Sequence, residues 1–120
     1  MAFRAFLLTA VLSASALTAG EASAHAKLVA SNPAANATVA APTAIRLTFN
    51  EKLAPAFSTF ALTTADGRTT PVKTSISQDR KVITGVLKGR LASGAYKISW
   101  RATAADDGHR MDGVVAFTVK

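Results

Sequence analysis

Four stretches of the chain alternate apolar and polar residues with a period of two. Ile45, Leu47 and Phe49 are interleaved with Arg46 and Thr48, and Phe60 and Leu62 with Thr59, Ala61 and Thr63. Tyr96, Ile98 and Trp100 alternate with Lys97, Ser99 and Arg101, and Val115, Phe117 and Val119 with Ala116, Thr118 and Lys120. Successive side chains of a strand point to opposite faces, so each run predicts a half-buried strand and not a helix. Weaker runs at Lys27–Ser31, Thr69–Thr74 and Val82–Leu87 predict three more. Trp100, the only tryptophan, is expected as a core anchor on its alternating strand. Phe49, Phe57, Phe60 and Phe117 are expected in or near the core.

Turn signals fall between these runs. Asn32-Pro33 closes the first, Asp66-Gly67 reads as a tight hairpin turn, and Ser93-Gly94 precedes the Tyr96 run. Pro42 and Pro55 fall in connections, where a missing N–H costs little. About seven short strands in one small unit predict an all-β antiparallel sandwich or barrel. The chain shows no repeat, low-complexity tract, linker or second domain.

The beginning of the chain has a different pattern. Arg4 leads into an apolar run from Ala5 to about Ala19, followed by Gly20, Glu21 and the small-x-small series Ala22-Ser23-Ala24. This is the layout of a cleaved secretory signal peptide, and the run is shorter than the ~20 residues of a spanning helix. Residues 1–24 are therefore expected to be a signal peptide, and residues 25–120 an exported β domain. The signal holds one basic and one acidic residue, so the net charge of +7 is unchanged by its loss. The basic residues are scattered, without the stripe or motif that nucleic-acid binding uses, so no nucleic-acid partner is expected. With no cysteine, the exported domain has no disulfides and no thiolate chemistry.

Candidate chemistry gathers on the two histidines, His25 and His109. Cleavage after Ala24 would make His25 the first residue. Its α-amine and imidazole have reference pKa values near 7.7–8.0 and 6.5, so both can shed protons near neutrality. Together they close a six-membered chelate ring on one metal ion. His109 would add a third nitrogen and Asp107 an oxygen. If the Asp107-Gly108-His109 segment is extended, both side chains point the same way. Gly108 between them permits a backbone conformation that other residues resist. Three nitrogens and one oxygen suit Cu(II), although two histidines and a carboxylate also fit Zn²⁺. The bland reading of Asp107-Gly108 is a turn, as for Asp66-Gly67. Asp106 and Asp112 read as solvated loop residues, Asp106 with the further option of orienting a ligand histidine. Glu51 reads as exposed, and Met111 as loop or packing, since one thioether does not make a Cu(I) site. No nucleophile triad, phosphate loop or carboxylate pair is present, so no catalytic residue is assigned.

Taken in order, several segments resemble the CopC family of periplasmic copper-binding proteins. They are His25-Ala26-Lys27-Leu28, Ser31-Asn32-Pro33-Ala34, Ile45 to Glu51, Leu91 to Arg101, Asp107-Gly108-His109 and Gly113 to Val119. The resemblance implies a Greek-key β-sandwich or barrel of cupredoxin-like or immunoglobulin-like shape. It implies one Cu(II) per chain held by His25, Asp107 and His109. It also implies copper carriage or buffering without catalysis, by a monomer that works alongside an inner-membrane CopD-like transporter. Some members carry a methionine-rich segment that binds Cu(I). Ala35 to Val86 has neither methionine nor histidine, so a Cu(II)-only form is expected. Two alternatives remain open. An N-terminal histidine with a second histidine is similar to the histidine brace of lytic polysaccharide monooxygenases, although Asp107 would fill a position those enzymes keep open. The other is a β-sandwich interaction module with incidental histidines.

Overall fold

Strand β8 (Gly94–Thr103) turns the alternation into a sheet: Tyr96, Ile98, Trp100 and Ala102 are buried while Lys97, Ser99 and Arg101 are exposed. The computed structural model describes residues 27–120. The other strands are β1 (Leu28–Asn32), β2 (Thr38–Val39), β3 (Ala44–Phe49), β4 (Thr59–Thr64), β5 (Thr69–Thr70), β6 (Val72–Ile76), β7 (Val82–Leu87) and β9 (Arg110–Val119). A single 3₁₀ turn, Pro55–Phe57, precedes β4. Seven of these strands have five residues or more, in line with the expectation; β2 is an addition to it, and the predicted Thr69–Thr74 run is divided at Pro71 into β5 and β6.

The strands form two sheets, one ordered β1-β3-β7-β6 and the other β2-β9-β8-β4-β5. All pairs are antiparallel except β2 with β9. The chain crosses between the sheets after β1, β2, β3, β5 and β7, which makes a Greek-key sandwich. The inward residues of both sheets make one apolar cluster, including Ile45, Leu47, Phe49, Leu62, Ile98 and Phe117. Each such fully buried side chain contributes roughly 1.5–3 kcal/mol. Trp100 meets Phe49 edge-on, with ring centroids 5.2 Å apart at 72°, so its expected place as core anchor holds. Such a pair adds about 0.5–1.5 kcal/mol beyond burial. The indole also lies over Gly113, its cross-strand partner on β9: a Cβ there would fall 2.6 Å from Trp100 Cζ2.

Three details differ from the sequence expectation, and Met111 takes one of its two expected roles. Phe57 is 64% exposed, because it ends the 3₁₀ turn and no alternating neighbours carry it inward. Asp112 is not a loop residue. It lies in β9 opposite Arg101, because the long β8 supplies backbone partners down to Arg110. Met111 is half-buried against the core, which is the packing role. Glu51 is half-buried and not fully exposed. The first strand is fastened irregularly: β1 pairs with β3, but the register shifts between Leu28 and Ala30.

Candidate metal centre

The Asp107-Gly108-His109 segment forms the second half of the connection between β8 and β9. The hairpin closes where the Ala104 N–H donates to the His109 carbonyl (2.9 Å), and the Gly108 N–H donates back to the Ala104 carbonyl (3.0 Å). The chain can fold back this tightly because Gly108 takes φ +69°, a left-handed conformation that a Cβ disfavours. The segment is therefore a turn and not extended, so the expected same-side geometry of a strand does not apply. What couples the two residues is a local bond: the His109 N–H donates to Asp107 Oδ1 at 3.0 Å. An aspartate folding onto the N–H two residues ahead is an Asx turn. It uses one carboxylate oxygen and keeps the carboxylate beside His109. Asp106, Asp107 and His109 are all exposed.

The base of this hairpin is pinned from one side by residues 50–54. Leu53 bridges to Ala104, and both are buried. The Ala105 N–H donates to the Lys52 carbonyl (2.9 Å), and the Ala54 N–H to the Thr103 carbonyl (2.8 Å). The buried Ser58 hydroxyl accepts the Thr103 N–H at 3.1 Å, which satisfies a donor that would otherwise be costly in the interior.

The same short segment holds the start of the described chain. The Lys27 N–H donates to Asn50 Oδ1 (2.6 Å), and the Asn50 N–H donates to the Lys27 carbonyl (3.1 Å). Lys27 on one side and Ala105 on the other are thus fastened to residues two apart, Asn50 and Lys52. Lys27 and the Asp107–His109 turn consequently lie at one end of the sandwich. His25, two residues before Lys27, lies outside the described residues, as does the whole signal-peptide segment. Among the described residues no group of three or more His, Cys, Asp or Glu side chains converges to hold a metal ion. Asp107 and His109 come together, while Asp112 belongs to β9, opposite Arg101. The Asn50 clamp was not foreseen from sequence, since an asparagine after a strand carries no local sign of a partner 23 residues earlier.

The CopC domain family model matches residues 28–120, nearly the whole described chain. The chain belongs to the CopC family. It is 37% identical over 126 residues to copper resistance protein C of Xanthomonas campestris pv. juglandis, covering 99% of this chain and 98% of that one. Its fold matches that of PcoC from Escherichia coli, a methionine-rich copper resistance protein. The TM-score is 0.73 and the identity 34%, over 81% of this chain and 100% of PcoC. It also matches CopC from Methylosinus trichosporium OB3b, with a TM-score of 0.72 and 29% identity over 80% and 94% of the two chains. The Xanthomonas relative and PcoC are copper resistance proteins. This CopC chain is not methionine-rich in the manner of PcoC: it holds Met1 and Met111 alone.

Proposed function

We propose that the chain is exported to the periplasm, loses residues 1–24, and carries or buffers one Cu(II) ion through His25, Asp107 and His109. The observation that supports this most is the fastening of Lys27 and of the Asp107–His109 turn to neighbouring residues of one segment. Two residues of chain reach at most about 7 Å. From Lys27, that tether brings an N-terminal His25 to the end of the sandwich where Asp107 and His109 sit. The amine and imidazole of His25 supply two nitrogens, His109 a third and Asp107 an oxygen, a set suited to tetragonal Cu(II). The copper resistance proteins among the relatives favour this over the interaction module with incidental histidines and over the oxygenase. The chain acts as a monomer and exchanges copper with a membrane partner of the CopD type.

With nitrogen and oxygen ligands, and with the one nearby thioether, that of Met111, packed against the core, the site favours Cu(II) and releases the ion on reduction. The deciding experiment uses protein purified from periplasm, its first residue established by intact mass. Cu(II) is titrated against a chromophoric chelator, and the copper-loaded protein is examined by EPR. The expected result is one nitrogen-rich tetragonal Cu(II) per chain, lost on ascorbate addition. A chain beginning after His25, or an EPR spectrum indifferent to His109→Ala, would refute the assignment.

A further inference from the structure

On the outer face of the β8–β9 sheet, two hollows meet beside the His109 turn. One, of about 240 Å³, is lined by Ala56, Phe57, Arg101, Thr103 and Arg110. The other, of about 470 Å³, is lined by Arg101, His109, Arg110, Met111 and Asp112. Arg101 and Arg110 belong to both, so the two form one continuous depression running from Phe57 to His109. Phe57 is 64% exposed, yet its backbone is held: its N–H donates to the Ala54 carbonyl (3.1 Å), and its carbonyl accepts the Thr103 hydroxyl (3.4 Å). The adjoining Ser58 is locked to Thr103. An exposed aromatic on a fixed turn presents apolar area at little further cost in ordering. Among the described residues neither Arg101 nor Arg110 is held in an ion pair, and with Asp112 opposite Arg101 in the same hollow the depression carries two positive charges against one negative. Aromatic and arginine side chains are the types that most often dominate protein–protein contacts.

We propose that this depression is a docking surface for an acidic segment of the protein that exchanges metal with this chain. Phe57 takes an apolar side chain of that segment, and Arg101 and Arg110 pair with its carboxylates. The role in metal exchange rests on the copper-carrying reading above. Docking here sets the partner's segment against the His109 end of the depression, so its carboxylates reach the metal ligands as it binds. Carboxylates are themselves metal ligands, and one segment then serves both recognition and ligand exchange.

The test uses isotope-labelled full-length mature protein and, as probe, a short synthetic peptide of alternating glutamate and leucine. Amide shifts are expected at Phe57, Arg101, Thr103 and Arg110, with binding that weakens as salt is raised. The R101E/R110E double variant should weaken binding about tenfold or more, and Phe57→Ala by a smaller factor. A K73E/K88E double variant makes the same change of charge at exposed lysines elsewhere and should bind as the parent does. Equal weakening in the two double variants, or shifts spread over the basic surface, would overturn the proposal. So would failure of the peptide to bind, or binding at these residues by anionic phospholipid vesicles and not by the peptide. The copper titration of the same samples is independent: loss of copper binding with peptide binding intact counts against the metal-site reading and not against the docking surface.

Discussion

Removing the Asn50 side chain should weaken copper binding without altering the ligand set. Asn50 Oδ1 accepts the Lys27 N–H at 2.6 Å, two residues from the proposed N-terminal ligand. Fixing the backbone of one residue costs about 1–2 kcal/mol. The bond to Asn50 fixes Lys27 before the metal binds, so that part of the ordering cost is already met. In Asn50→Ala the bond between the Asn50 N–H and the Lys27 carbonyl survives, so the clamp is halved and not abolished. An exposed neutral hydrogen bond is worth ~0.5–1 kcal/mol net, toward the low end of the usual range. That corresponds to a Kd for Cu(II) raised by about two- to fivefold. Chelator competition on parent, Asn50→Ala and Asn50→Asp measures it, with the aspartate variant expected to restore affinity because its carboxylate accepts the same N–H. A second readout needs no metal: amide exchange at Lys27 should quicken in Asn50→Ala and recover in Asn50→Asp. Unchanged Cu(II) affinity together with unchanged exchange at Lys27 would refute the clamp as a positioning device.

Other outcomes follow from the same geometry. Asp107→Asn keeps an oxygen for the His109 N–H, so the fold should be intact while Cu(II) affinity drops; Asp107→Ala should lose both, read by chelator competition beside thermal melting. His109→Ala should cost copper affinity by at least the roughly 10–100-fold typical of losing even an outer partner of a metal ligand. Gly113→Ala drives a methyl into the Trp100 ring and should destabilise by about 1–3 kcal/mol, seen as a lower urea midpoint with altered tryptophan fluorescence. Asp79 has its pKa lowered below 3.8, first by the Ser77 hydroxyl and then by the Lys81 backbone N–H. Its contribution is complete above the ordinary carboxylate pKa and is lost as pH falls through the lowered folded value. NMR titration should therefore find its midpoint below the ordinary aspartate value.

The four alternating runs were readable as strands because each has a wet face and a dry face, and a period of two follows from that alone. β2 was not, since two residues paired in parallel with β9 carry no period. The early start of β9 was hidden because Arg110 and Asp112 are exposed and Met111 only half-buried, so hydrophobicity marks no strand there. Phe57 misled because hydrophobicity was read without the turn that Pro55 begins. At the site, Asp107, Gly108 and His109 were legible as a motif, but their shape was not. The left-handed Gly108 and the Asx bond make them a turn where extension was assumed. Asn50 was invisible, because its role depends on a contact between distant parts of the chain.

The register shift between Leu28 and Ala30 bears on how fast copper can leave. β1 is an edge strand with a neighbour on one side only, and exposed Val29 adds little to hold it down. Fraying of its first residues breaks the Lys27–Asn50 bonds and lifts Leu28 off the core, and leaves the deeply buried Ile45, Leu47 and Ile98 in place. Such local opening needs far less free energy than global unfolding. The off-rate of copper would then be set by peeling of the leading segment, with the β8–β9 turn remaining behind as a fixed half-site. Amide exchange at Lys27 to Ala30 faster than at Leu47, and slowed by Cu(II), is the signature to look for.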